Sequence, residues 1–196
     1  NITGLPADYW CTTVEASHYD ANTAYVTFDG HRSGDKKAYV FKTADLGKTW
    51  TSLVTADIEG YALSFVEDLQ KENLLFLGTE FGLYVSIDAG ASWSRFSNNM
   101  PKVGVRAMVI HPRDGALVMG THGRGVIIID DLEPLRLLTP ELMAKKFAFL
   151  PSKPAILKVF AGGAPFGGAG NFVGENPDES ASISYYMSKR HTFGKM

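Results

Sequence analysis

Seven side chains stand out for the chemistry they could do together: Trp10, Asp29, His31, Arg32, Glu80, His122 and Arg124. A guanidinium clamps a carboxylate through two parallel hydrogen bonds, a role open to Arg32 and Arg124. An indole stacks on a sugar ring or a peptide side chain, a role open to Trp10. A pair of carboxylates serves as acid and base in glycoside hydrolysis, and the inverting geometry sets them roughly 6.5–9.5 Å apart. Glu80 fits one half of such a pair, and no partner for it is evident. A sialidase would gather several arginines with a Tyr–Glu pair and an Asp acid; Arg32, Arg106 and Arg124 make no convincing assembly. The five histidines, His18, His31, His111, His122 and His191, lack ligand spacing, so no metal is expected. Cys11 is the only cysteine, which excludes an internal disulfide and a Cys-based zinc site. No nucleophile-elbow signature is present. The glycine-rich run 162–170 is not followed by Gly-Lys-Ser/Thr, so it is not a phosphate loop, and no cofactor is expected.

The elements that must carry these residues come from a repeat. Thr43-Ala44-Asp45-Leu46-Gly47-Lys48-Thr49-Trp50 matches Ser86-Ile87-Asp88-Ala89-Gly90-Ala91-Ser92-Trp93 at an offset of 43. Hydroxyl, Asp, Gly and a final hydroxyl-Trp pair recur in register. Leu75-Phe76-Leu77-Gly78-Thr79 matches Leu117-Val118-Met119-Gly120-Thr121 at an offset of 42. In the middle unit, strands are expected at 61–66, 74–79, 83–86 and 92–96, with a polar turn at 67–73. Four short strands per repeat of this length is the arithmetic of a propeller blade. The third unit offers strands at 105–111, 116–121 and 126–130, and then Asp131-Leu132-Glu133-Pro134 stands where the octad would be. Its fourth strand is missing. Only 141–147 has a helical look, after the start signal Thr139-Pro140.

The octads have a physical reading. Asp accepts the N–H groups that a tight hairpin leaves unpaired, Gly supplies the positive φ, and Trp packs over the turn and between blades. Asp45, Gly47, Trp50, Asp88, Gly90 and Trp93 are therefore structural. In a four-stranded meander these turns share one rim with the connections between first and second strands. The opposite rim carries 29–37, Glu80-Phe81-Gly82 and His122-Gly123-Arg124-Gly125, together with 7–10, 55–60 and 97–104. The seven residues above fall on that rim. Plainer roles compete: His122 and Arg124 as parts of a glycine turn, 31–37 as a solvated insertion, and Trp10 as packing between blades.

The octads resemble the Asp-box, Ser/Thr-x-Asp-x-Gly-x-Thr/Ser-Trp, of the BNR/Asp-box propeller superfamily. Gly120-Thr121-His122-Gly123-Arg124-Gly125, with Ile129-Asp130-Asp131-Leu132 and Pro134-Leu135-Arg136, is similar to the propeller end of large secreted bacterial proteins of the sortilin-like and BNR-repeat glycosyl hydrolase type. The resemblance covers 1–138. It implies an all-β fold, a partial β-propeller of about three four-stranded blades followed by a linker and the start of a β-sandwich. It also implies a glycan or protein ligand at the loop rim, with a hydrolase completed by other blades or a structural scaffold as alternatives. Export to the periplasm, the cell surface or the medium belongs to the same implication. The domains expected are propeller at 1–138, connector and glycine-rich linker at 139–173, and sandwich start at 174–196.

Composition agrees with this outline. Of 196 residues, 45% are hydrophobic, enough for a core, so disorder is not the main description. Nineteen basic against 21 acidic residues give a net charge of −2, with no basic stripe for nucleic acid. No run approaches the ~18–20 apolar residues of a membrane span. Three blades cannot close a ring, since propellers have about 4–8. The opening Asn1-Ile2-Thr3 reads as the interior of a longer chain. The remaining blades of a parent chain are therefore an expected partner.

Overall fold

The computed structural model describes residues 2–97, 99–152, 154 and 180–189. It divides into two units, Asn1–Leu138 and Thr139–Met196. The first unit is built of three antiparallel sheets. Strands β1 (Trp10–Ala16), β2 (Ala24–Asp29), β3 (Tyr39–Thr43) and β4 (Thr51–Ser52) form one meander. Strands β5 (Ala62–Glu67), β6 (Leu75–Thr79), β7 (Gly82–Ser86) and β8 (Ser94–Phe96) form the next. Strands β9 (Val105–His111), β10 (Ala116–Thr121) and β11 (Val126–Ile129) form a third sheet of three strands. The inner strands β1, β5 and β9 approach one another in sequence, and β9 also meets β6. This is an arc of a β-propeller.

The middle sheet is buried on both faces. Every residue of β5, β6 and β7 is buried, so these strands show no alternation of apolar and polar residues. Side chains alternate in direction all the same. Leu75, Leu77, Phe65 and Tyr84 join Tyr25 and Val40 of the first sheet. Leu74, Phe76, Leu83 and Val85 join Val105, Ile110, Leu117 and Met119 of the third. The sheets approach closely where Ser64 Oγ donates to Val105 O at 2.8 Å. Gly78 makes room there, because an added Cβ would lie 2.6 Å from that same carbonyl oxygen.

The octads fold as their residue types require. Asp45 Oδ1 accepts from the Thr49 N–H (2.9 Å) and the Thr43 hydroxyl (2.8 Å), and Oδ2 from the Thr49 hydroxyl (2.6 Å). Asp88 repeats the pattern with Ser92 and Ser86. Gly47 and Gly90 have φ of 82° and 90°. Leu46 and Ala89 before them are also left-handed, at 60° and 59°, which the residue types do not announce. Each tip donates its N–H to the hairpin between the first two strands: Leu46 to Asn22 O, and Ala89 to Asn73 O. The third sheet keeps that bond without an octad, for Leu132 N–H donates to Gly115 O at 3.2 Å. Leu132 is fully buried and leads into the one-turn helix α1 (Glu133–Arg136), which sequence patterning does not foresee.

The polar turn after β5 also departs from its solvated appearance. Glu67 and Asp68 are both fully buried. Glu67 accepts from the Tyr25 hydroxyl and from the His18 N–H of the first sheet. Asp68 is held bidentately by Arg136, at 2.8 and 3.0 Å, and its carbonyl accepts from the Tyr19 hydroxyl at 2.9 Å. One turn of the middle sheet thus ties the first sheet to the segment that follows the third.

In the second unit, helix α2 (Pro140–Met143) begins at the Thr139-Pro140 signal, where the Thr139 hydroxyl accepts from Leu142 N–H. It is shorter than the 141–147 stretch that looked helical. Strand β12 (Phe147–Phe149) pairs antiparallel with β13 (Tyr185–Met187). The glycine-rich run 162–170 lies outside the described residues, as does all but 180–189 of the expected sandwich start.

Candidate functional site

The loop rim opposite the octads holds a cavity of about 280 Å³ lined by Asp8, Trp10, Thr12, Asp29, His31, Arg32, Ser33, Leu63 and Arg106. Three elements deliver its floor in the same way. Each inner strand carries a bulge near its start: β1 between Cys11 and Thr13, β5 between Ala62 and Ser64, and β9 opposite the Gly120–Thr121 step. The residues left without a ladder partner are Thr12, Leu63 and Arg106, and all three line the cavity. A bulge re-aims the side chain it leaves unpaired.

The first sheet supplies the walls. Asp29 ends β2, and its carboxylate accepts from the His31 N–H at 2.8 Å and from His31 Nδ1 at 2.6 Å. A carboxylate only accepts, so Nδ1 is the donor in this contact. The His31 ring stacks on Tyr61 of the middle sheet, with centroids 4.7 Å apart. Burial raises the Tyr61 phenol, the charges of Glu80 and Asp29 add to the rise, and Arg106 opposes them. Trp10 is 69% exposed, with the Arg32 guanidinium over its ring.

The run 31–37 is largely exposed yet held in place. Its Asp35 accepts from the hydroxyls of Tyr9 and Tyr39, each at 2.8 Å. The backbone N–H of Lys37 and these two hydroxyls keep the Asp35 carboxyl below its usual range. Gly30 lies against Tyr9, and a Cβ there would sit 2.5 Å from the ring.

Of the seven residues singled out in the sequence, Trp10, Asp29, His31 and Arg32 come together in the cavity. Glu80, His122 and Arg124 do not line it. Glu80 sits half-buried in the β6–β7 turn, and its Oε2 has no hydrogen-bond partner among the described residues. His122 and Arg124 are exposed in a turn with Gly123 and Gly125 at positive φ, and the His122 N–H donates to Gly104 O. Arg106, weighed in the sequence only as one arginine of an unconvincing cluster, lines the same cavity as Arg32, and Arg124 does not. The bulge that aims Arg106 has no residue-type signature. The repeat offset of 43 places it in register with Leu63, which is the one signal that pairs them. Among the described residues no group of three or more His, Cys, Asp or Glu could hold a metal ion, and no helix is long and apolar enough to cross a membrane.

Fold and site together define an arc of β-propeller with a cavity at the starts of its inner strands. Comparison with solved structures places it beside a GH74 enzyme of Niastella koreensis, 21% identical, with a TM-score of 0.52 over 62% of this chain and 21% of that one. An ancestral GH74 enzyme is 16% identical, with a TM-score of 0.48 over 58% of this chain and 14% of its own. YCF48 bound to D1 peptide is 16% identical, with a TM-score of 0.45 over 63% and 36% of the respective chains. The chain matches only a minor part of the length of each. No protein-family model matches the chain, and no curated protein does.

Proposed function

We propose that this chain is a segment of an exported Asp-box propeller that binds a glycan in the cavity at the starts of its inner strands, with further blades of a parent chain completing the ring. The observation that carries this reading is the lining itself. An exposed indole, two hydroxyl side chains, an imidazole fixed by Asp29 and two guanidiniums converge from several separate stretches of chain. Aromatic faces with a few directed polar groups suit a sugar ring, which is apolar on its faces and polar around its edge. The octads and the Gly120–Gly125 turn support export, by their likeness to secreted propellers. A protein ligand on the same rim is the alternative occupant.

The test is a titration of the chain with a panel of oligosaccharides, followed by intrinsic fluorescence, with Trp10→Ala alongside. We expect one or more glycans to bind and Trp10→Ala to weaken binding about tenfold or more, the size of a lost aromatic stack. Glycan binding indifferent to Trp10→Ala would move the site elsewhere.

A second reading makes the segment part of a glycoside hydrolase completed by other blades, and the fold shared with a GH74 enzyme favours it. Under that reading the full-length protein would turn over glycans and lose turnover in Glu80→Gln or Arg124→Ala. Binding without turnover would leave the binding module, and neither would leave a scaffold within a larger surface assembly.

A further inference from the structure

The charges of the cavity are unequally committed. The Asp29 carboxylate is only 8% exposed, and both of its oxygens already accept from His31. The two arginines are otherwise placed. Arg32 is exposed and lies over Trp10, 5.8 Å from the ring centroid. Arg106 is exposed at the bulge of β9. Neither makes an ion pair or hydrogen bond with the described residues, whereas Arg95, Arg113 and Arg136 each do. Asp8, also exposed, is the one carboxylate of the lining not held by another side chain among the described residues. Both guanidiniums line one cavity, and an anion between them takes paired, charge-assisted hydrogen bonds. Ser33 offers a hydroxyl beside them and Trp10 a ring face, while the Thr12 hydroxyl is shared with that of Thr27 at 2.7 Å.

We infer that the ligand of this cavity is an acidic glycan, whose uronic-acid carboxylate is held between Arg32 and Arg106 while its pyranose ring lies against Trp10. The inference rests on reading the cavity as a glycan site. Ser33 takes a sugar hydroxyl, and the Asp29–His31 pair keeps the wall rigid. The bulge in β9 becomes the device that sets specificity, since it aims Arg106 out of the ladder.

The test compares an oligogalacturonide with a neutral cello-oligosaccharide of the same length by calorimetry on the full chain, at low and high salt. The acidic ligand should bind about tenfold tighter or better, as expected for charge-assisted hydrogen bonds. That advantage should shrink as salt rises. Arg106→Gln and Arg32→Gln should each remove most of it, Arg106→Lys should keep part, and Arg113→Gln, on the opposite rim, should leave both affinities as they are. Equal or better binding of the neutral sugar, or an acidic preference indifferent to both arginines, overturns the inference and leaves the glycan site standing. Binding of neither sugar, with the fold verified by circular dichroism, removes the site as well.

Discussion

Asp45 and Asp88 turn their carboxylates toward the chain around them, accepting from the hydroxyl and N–H groups of their own turns. Accepting the Thr49 hydroxyl and N–H brings the Asp45 carboxyl from its ordinary 3.8 down to about 2. Burial pushes Asp88 upward, but the Ser92 hydroxyl and N–H and the Ser86 hydroxyl outweigh it, so it too lies below its usual range. Both groups hold protons less readily in the fold than in the unfolded chain, where an aspartate titrates near pH 4. Their stabilisation is therefore present above about pH 4 and falls away as pH drops below it, for Asp45 toward about 2. Thermal melting should show the midpoint dropping across that interval, and Asp45→Asn should shrink the drop. Asp88→Ala should cost about 1–3 kcal/mol by chemical denaturation, with ligand binding at the cavity kept. Binding lost with stability intact would reverse the structural assignment. These turns were legible because hydroxyl, Asp, Gly and Trp each have one job in a hairpin. Leu46 and Ala89 were not, because nothing in a leucine or an alanine signals a left-handed backbone.

At the scale of elements, the strands themselves were readable. The third sheet's first two strands begin and end where the sequence places them, and the others shift by one or two residues. What the pattern concealed was the pairing. A bulge leaves no mark on residue type, so the floor of the cavity was invisible while its Trp, Asp, His and Arg walls were not. Burial on both faces likewise removes the alternation that would tell which side of β6 meets which neighbour. Trp93 shows how blades lock together. It is buried, and its indole N–H donates to Leu53 O in the preceding sheet at 2.9 Å. Trp50 is half-buried and bonds Gly47 O within its own turn. Trp93→Ala should accordingly cost about 3–5 kcal/mol, and Trp50→Ala clearly less, both read from urea denaturation midpoints. Gly30→Ala tests the loop that carries His31 and Arg32. The methyl fits only if the Tyr9 ring or 29–37 shifts, so affinity for a ligand of the cavity should fall by more than stability does.

Across the propeller unit, the buried Glu67-Asp68 turn links the first sheet to the segment after the third, and the sequence shows it only as charge between two strands. Partners from distant stretches make its burial tolerable: Tyr25 and His18 from one side, Arg136 from the other. Lys71 adds to the same knot, donating its ammonium to the carbonyls of Arg136 and Leu138. Removing one member of a buried pair strands the other's charge, so Asp68→Ala should cost about 3–5 kcal/mol. Replacing both Asp68 and Arg136 with apolar residues of similar size should cost less than the single change, and a double-mutant cycle on denaturation midpoints would measure the coupling.

The bulge that recurs in β1, β5 and β9 has a wider consequence. Thr, Leu and Arg all occupy it, so the hydrogen-bonded ladder leaves the identity of that residue open. A lineage built by copying blades would inherit one such opening per copy and could revise each alone. What the ring recognises could then drift from one chemistry to another while the hairpins and indoles that hold it together stay as they are.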